Sequence, residues 1–242
     1  KLKYNYINKD FLYQLAQYIH DKNYDLEHTW MVLPSKRAGT FFINYLSEIK
    51  KSTFIAPQIL SVTDLLDQLN PVQKIDKIET VIHLYSSYCK ILQAQNKIPE
   101  GFDEFLSWSG NLLKDFGDLD RYLIHTDEFF NHINDTKALE LWNLDGSPLT
   151  AGEEEFLAFW KNLGVLYHDF QAQCIAQQQF SSSLHLKITA QNISQHIENI
   201  PANTQIVIAG LNALTTAEEK QMVMMNRGDY LDFNIPYNLS LG

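Results

Sequence analysis

The sequence predicts an α/β protein in which a parallel sheet domain is interrupted by a large all-helical insertion. Short apolar runs at 30–33 and 205–209 have the composition of buried parallel strands and stand far apart in the chain. Each run is followed by a turn and then by a helical pattern, as in a strand–helix unit. Between them, residues 70–200 carry long stripes of aromatic and aliphatic residues at helical spacing.

Two strand–helix units are expected at the start of the chain. Residues 2–6 can form a short strand, and a helix follows it. Residues 30–33 predict a buried central strand, which Pro34 cannot extend, so the chain must turn there. Residues 35–40 are small, polar and basic, and a helix over 40–50 follows. This arrangement would deliver the basic turn to the carboxyl edge of the sheet, where ligands bind in such folds.

A third strand–helix unit is expected next. Its strand lies within 54–60, where Pro57 indicates a late start or a bulge. Ser61 and Asp64 have the spacing of a capping box that opens a helix over 64–69. The simplest interpretation of this box is a cap alone, and a ligand role for the same turn is the alternative.

The insertion is expected to be helical and acidic. Its apolar stripes predict helices over 78–92, 102–116 and 156–170, with a polar turn at 177–183. Acidic residues crowd this region, which makes it a poor surface for nucleic acid. Asp115, Asp118 and Asp120 lack the loop of fixed spacing that calcium sites require, so no metal site is predicted there.

The sheet is expected to resume near the end of the chain. Residues 205–209 predict a buried strand, a capping box at 215–218 or 216–219 opens a helix, and residues 229–233 predict a last strand. Strands from both parts would then pair in one parallel sheet. The predicted boundaries are 1–69 plus 201–242 for the sheet domain and 70–200 for the insertion.

Composition and charge exclude several classes of protein. The chain of 242 residues has a net charge of −10, so any contact with nucleic acid must come from a local basic strip. Cys89 and Cys174 stand alone, which indicates a reducing compartment such as the cytoplasm. Because these two cysteines are isolated from each other, they also argue against a disulfide scaffold, a structural zinc or an iron–sulfur site. No apolar stretch reaches the roughly 18 residues of a membrane-spanning helix, so no membrane contact is expected.

Four segments of the sequence carry a family resemblance. They read LPSKRAGTFFINYL at 33–46, PQILSVTDLL at 57–66, FLSWSGNLLKDFGDLDRYL at 105–123 and VIAGLNALTTAEEK at 207–220. In order and spacing they resemble the amino-terminal part of AddB-like proteins of the Bacteroidetes type. Those proteins are PD-(D/E)XK nuclease-family subunits of AddAB or RecBCD-type complexes. The resemblance runs from about Phe11 to Phe233.

This resemblance implies an inactivated superfamily I helicase core. The fold would be a P-loop-NTPase-like (RecA-like) sheet domain without its P-loop, and the insertion would match the helical domain that such helicases carry. The parent protein would add a carboxyl-terminal PD-(D/E)XK exonuclease domain. Its partner would be an AddA-like helicase-nuclease subunit, and the complex would act in DNA double-strand-break repair and recombination.

Two departures from active helicases predict that the chain does not hydrolyse nucleotide. An active chain places G-x-x-x-x-G-K-[ST] after its first strand, where residues 7–9 stand here. The acidic end of the magnesium-holding strand is replaced by Ala209 and Gly210. Because the phosphate cradle and the metal ligand are lost together, no catalytic residue, bound nucleotide, cofactor or metal is expected in this chain.

The resemblance also implies a contact with DNA. In superfamily I helicases the turn after the second strand contacts the DNA backbone. The residues that match this turn, and those at the next turn, are Ser35, Lys36, Arg37, Thr40, Ser61 and Thr63. Lys36 and Arg37 would neutralise phosphates, while hydroxyl and helix N–H groups would fix the strand. Binding to single-stranded or forked DNA would be weak in isolation and independent of sequence.

Three other interpretations remain open. Lys36 and Arg37 could be solvated charges in an ordinary turn. Residues 35–40 could bind a nucleotide without hydrolysing it, although Gly39 is the lone glycine of such an improvised phosphate loop. The chain could also be a protein-interaction scaffold with no DNA contact, which its net charge of −10 favours.

Overall fold

The computed structural model describes residues 10–141, 148–211, 213–225 and 231–232. The chain divides into two compact units. We call them the sheet unit, which takes in the described parts of 1–71 and 189–242, and the helical unit, which takes in those of 72–188. The strand expected at 2–6 lies outside the described residues.

A parallel sheet organises the sheet unit. The strands in the described residues are β1 (Thr29–Val32), β2 (Gln58–Leu60), β3 (Gln73–Lys74), β4 (Gln179–Phe180), β5 (Gln205–Ile208) and β6 (Leu231–Asp232). Four of them pair in parallel in the order β2–β1–β5–β6. In β1, Trp30 pairs with Gln58 on one side and with Ile206 on the other. The prediction of an α/β chain with a parallel sheet is confirmed, and β2 starts directly after Pro57.

Most of the described chain is helical. Its α-helices are α1 (Phe11–Asp21), α2 (Lys36–Lys50), α3 (Val62–Leu69), α4 (Lys77–Ala94), α5 (Phe102–Arg121), α6 (Thr126–Glu140), α7 (Ala151–Ala176), α8 (Ser182–Gln191), α9 (Ile193–His196) and α10 (Thr216–Met225). Among the residues described, none of these helices is both long enough and apolar enough to cross a membrane.

Helices cover both faces of the sheet, and this explains the unbroken apolar run at 30–33. All four residues of β1 are buried. Because side chains alternate along a strand, they enter two separate cores. Met31 packs in the core that includes Phe42 of α2, whereas Val32 packs in the core that includes Leu65 of α3.

The helical unit surrounds an aromatic core. Buried side chains of α4, α5, α6, α7 and α8 form it, among them Leu84, Phe105, Phe130, Tyr167 and Leu184. The sequence does not predict α6, because Phe130 is the one buried residue of this helix and its apolar stripe is correspondingly weak. The strands β3 and β4 were not predicted either, because they pair in parallel over only two residues each.

The division between the units lies after Pro71 and before Thr189, whereas the predicted boundaries lie after 69 and before 201. Hydrogen bonds explain why residues 189–200 belong to the sheet unit. The Asn70 side-chain amide donates to the Thr189 hydroxyl at 2.9 Å, and the Asn199 amide donates to the Leu69 carbonyl at 2.8 Å. These bonds join the last turn of α8 and the segment after it to the end of α3.

Candidate nucleic-acid interface

The predicted contact residues lie where β1 and β2 end. These strands are parallel neighbours, and Val32 pairs with Leu60 at the end of both. Ser35 and Ser61 therefore follow at the same edge of the sheet, and each is the N-cap of a helix. The carboxyl edge of an open parallel sheet is the usual position for a ligand site.

Residues 35–40 form a helix start and not the predicted turn. The helix α2 begins at Lys36, four residues earlier than the predicted start at 40, and its first turn is capped by Ser35. The amide of Ala38 donates to the Ser35 hydroxyl at 3.2 Å, and the Thr40 hydroxyl donates to the Lys36 carbonyl at 3.3 Å. Because the first amides of a helix have no acceptor within it, the N–H groups of Lys36 and Arg37 remain available for an anion.

The second helix start has the capping box that the sequence predicted. The Asp64 amide donates to the Ser61 hydroxyl at 3.2 Å, and the Ser61 amide donates to the Asp64 carboxylate at 3.0 Å. The Ser61 hydroxyl also donates to that carboxylate, at 2.6 Å. Thr63, in the first turn of α3, is exposed.

An ion pair connects the two helix starts. The Lys36 ammonium lies 3.0 Å from the Asp64 carboxylate, and the two side chains are 75% and 27% exposed. The hydrogen bonds from Ser61, assisted by Lys36, lower the pKa of Asp64 to about 2. Asp64 is therefore ionised at neutral pH and compensates part of the charge of Lys36. An exposed pair of this kind contributes little free energy, so a phosphate can replace Asp64 as the partner of Lys36.

An aromatic residue that was not predicted as a site residue also lies at the start of α2. Phe41 belongs to an apolar helical pattern, which predicts burial, but its side chain is 45% exposed. The Arg37 guanidinium carbon lies 5.9 Å from the centre of the Phe41 ring, a cation–π distance. An exposed ring beside a cation suits a nucleic-acid base stacked next to its own phosphate.

Gly39 serves helix packing in this structure. A Cβ atom at this buried position would lie 2.2 Å from Cγ2 of Ile59 in β2. The Gly39 amide donates to the Ser35 carbonyl at 3.3 Å, so it is used by the helix itself. The need for glycine at 39 therefore comes from the close approach of α2 to β2.

Asp118 and Asp120 of α5 have separate partners. Asp118 accepts a hydrogen bond from Arg121 at 2.6 Å, and Asp120 is buried in a network of its own. Within the described part of the chain, no group of three His, Cys, Asp or Glu residues could hold a metal ion.

No family model and no curated protein matches this sequence. The functional assignment therefore rests on the geometry of the sheet edge and on the four sequence motifs. Two of these motifs, at 33–46 and 57–66, contain all six predicted contact residues.

Proposed function

We propose that this chain is a catalytically inactive, RecA-like helicase domain that guides DNA in a double-strand-break repair complex. The observation that supports a DNA contact is the placement of two capped helix starts on neighbouring strands, joined by the Lys36–Asp64 pair. Helix N-termini present unpaired N–H groups and the positive end of the helix dipole, both of which favour phosphate.

The proposed contact is made with the backbone of a single strand. Lys36 and Arg37 bind phosphate oxygens, and the Ser35 hydroxyl, which accepts a bond from Ala38, donates a neutral hydrogen bond. The Thr40 hydroxyl would exchange its bond to the Lys36 carbonyl for one to a phosphate oxygen. The exposed ring of Phe41 offers a surface on which one base stacks. Neither the phosphate-binding residues nor the Phe41 ring reads the edge of a base, so the chain would hold DNA without selecting a sequence.

The wider role follows from the family resemblance of the four motifs. The helical unit and the remaining surface would contact an AddA-like helicase-nuclease subunit in the cytoplasm. Strand cleavage would belong to a PD-(D/E)XK domain elsewhere in the parent protein. No nucleotide, metal or cofactor takes part in the role proposed for this chain.

Fluorescence anisotropy of labelled single-stranded and forked DNA, at low and at physiological salt, tests the proposal. We expect the double variant Lys36→Glu/Arg37→Glu to weaken binding by at least about tenfold at low salt. Loss of two phosphate contacts should also reduce the slope of log affinity against log salt by about 1.4 for a single strand.

The matched control reverses the same number of charges at the other end of the same helix. Lys50 is the last residue of α2 and Lys51 is its C-cap. The variant Lys50→Glu/Lys51→Glu should leave most of the affinity in place. Equal losses of DNA affinity in both double variants would show a general electrostatic attraction between DNA and the protein. That result would contradict a DNA guide at the sheet edge.

A protein-interaction scaffold without DNA contact is the second candidate. The net charge of −10 and the neutralisation of Lys36 by Asp64 both favour it. Absence of binding to single-stranded and forked DNA at low salt would support this candidate over the first.

A further inference from the structure

A cleft in the helical unit lies between the end of α4, the segment 95–101 and α7. Its volume is about 310 Å³. The residues that decide its chemistry are Tyr88, Ile98, Glu100, Glu155, Phe159 and Leu163. They combine apolar surface, aromatic rings and carboxylates in one concave site, which is the composition of a recognition pocket.

One wall of this cleft is held in place by its own hydrogen bonds. The Lys97 amide donates to the Leu92 carbonyl at 2.9 Å and closes the end of α4. The Tyr85 hydroxyl donates to the Glu100 carbonyl at 2.8 Å, and the Trp108 indole N–H donates to the Glu100 carboxylate at 2.6 Å. The Glu100 carboxylate is therefore fixed before any ligand arrives, which reduces the entropy lost on binding.

Aromatic rings continue the same wall. The Trp108 ring meets the Tyr88 ring edge-on, with centroids 5.9 Å apart, and meets the Phe159 ring in the same way at 6.1 Å. Tyr88 and Phe159 line the cleft, and the Phe159 side chain is 42% exposed. Ring faces next to carboxylates attract a cation, most strongly where water is partly excluded.

The charge balance of the cleft is negative. Glu100 and Glu155 line it together with a single cation, Lys97. Glu155 is exposed and forms no ion pair with any residue that the structure describes. Beside these charges, Ile98 is 94% exposed, so an occupant would gain from apolar contact as well as from positive charge.

We propose that this cleft binds an arginine side chain carried by a basic, amphipathic segment of a partner protein. The guanidinium group lies against the Tyr88 ring and between the carboxylates of Glu100 and Glu155, and its aliphatic stem lies along Phe159. A neighbouring apolar residue of the segment covers Ile98. Arginine suits the site better than lysine because a planar guanidinium stacks on a ring while it pairs with carboxylates. The proposal does not depend on DNA binding at the sheet edge.

A labelled peptide titrated against the full chain tests this proposal by fluorescence anisotropy. The probe is an amphipathic helical peptide of leucine, alanine and arginine. Two further peptides carry lysine or glutamate in place of every arginine. The decisive variant is Glu155→Lys, and its matched control is Glu154→Lys. Both glutamates are exposed neighbours on α7 and both variants change the charge equally, but only Glu155 is among the residues that line the cleft.

We expect the arginine peptide to bind most tightly and the glutamate peptide not to bind. Glu155→Lys should weaken the affinity for the arginine peptide by at least about tenfold, and Glu154→Lys should weaken it by less than about threefold. Equal weakening by both variants would reveal general electrostatic attraction and would overturn the proposal. Absence of binding to the wild-type chain, or equal affinity for the arginine and lysine peptides, would overturn it too.

Phe159→Ala provides a second, uncharged test of the same site. Removal of this half-exposed ring should weaken the affinity for the arginine peptide, although the net charge of the protein stays unchanged. A retained far-UV circular dichroism spectrum would show that the fold is intact. Unchanged affinity in a folded Phe159→Ala variant would contradict the role given to the aromatic wall.

Discussion

The ammonium group of Lys36 lies 3.0 Å from the carboxylate of Asp64, and this pair joins the starts of two helices that follow neighbouring strands. Asp64 also closes the capping box of its own helix through Ser61. One carboxylate therefore caps one helix and compensates part of the charge of the first cation of the other. For the proposed DNA contact, Asp64 acts as a competitor of phosphate.

Replacement of Asp64 by asparagine should strengthen DNA binding. Asparagine can still accept a hydrogen bond from the Ser61 amide, but it carries no charge with which to hold Lys36. We expect a few-fold rise in affinity for single-stranded DNA, measured by anisotropy at low salt. Glu48→Gln removes the same charge from the opposite end of α2 and should have a smaller effect. A fall in affinity would show that Asp64 helps to position Lys36 on DNA.

The pKa of Asp64 should be about 2, and it can be measured by following its carboxyl carbon in an NMR titration. The hydrogen bonds from Ser61 are its largest cause. We therefore expect Ser61→Ala to raise this pKa more than Lys36→Ala does. A larger rise in Lys36→Ala than in Ser61→Ala would mean that the ion pair is the main cause of the lowered pKa.

The same shift has a consequence for stability. Because the folded-state pKa lies below the ordinary value of 3.8, the ionised carboxylate stabilises the fold above about pH 4. This contribution is lost as the pH falls through the folded-state value of about 2. Urea unfolding of the wild type and of Asp64→Asn should therefore differ most at neutral pH and converge towards pH 2.

Gly39→Ala should destabilise the sheet unit. The added Cβ would meet Cγ2 of Ile59 at 2.2 Å, and overpacking of this kind typically costs about 1–3 kcal/mol. Ile59→Ala removes that methyl group, so the double variant should lose less stability than the two single variants added together. Gly110→Ala in α5 is the control, because the added Cβ meets open space. This variant should stabilise the protein by about 0.5–1 kcal/mol, measured by the same urea unfolding.

The buried carboxylate of Asp120 should be coupled to Lys187. Asp120 is 3% exposed and accepts hydrogen bonds from Tyr167 at 2.6 Å and Gln171 at 2.5 Å, with the Lys187 ammonium 3.4 Å away. Burial and the charge of Asp120 raise the pKa of Tyr167, which keeps this hydroxyl a donor.

Removal of one partner leaves the other charge buried, so Asp120→Asn and Lys187→Met should each destabilise the helical unit, by up to about 3–5 kcal/mol. A double-mutant cycle measured by urea unfolding should show that the double variant loses much less than the sum. Additive losses would mean that the two charges do not interact.

Local signals were readable in the sequence because they depend on residues close together in the chain. The capping box of Ser61 and Asp64 joins residues three positions apart, and so does the one between Thr215 and Glu218. The structure selects this second box over the alternative at 216–219. The strand at Trp30 was equally clear, because burial on both faces requires an unbroken apolar run.

Features that depend on residues far apart in the chain could not be predicted from the sequence. The exposure of Phe41 contradicts its helical pattern, because a pattern of apolar residues does not show which of them another element covers. The burial of Asp120 was also missed, since its partners Tyr167, Gln171 and Lys187 lie far along the chain. A sequence alone presents Asp120 as one more solvated acid of α5.

The sequence by itself determined the parallel α/β class, the long helices of the insertion and the helix caps, because hydrophobic periodicity and capping are local properties. Only the tertiary structure decided that Lys36 meets Asp64, that Gly39 is required by Ile59, and that Glu100 and Glu155 line one cleft. These contacts join segments separated by long stretches of chain. They form when the elements pack, and no pattern within either segment encodes them.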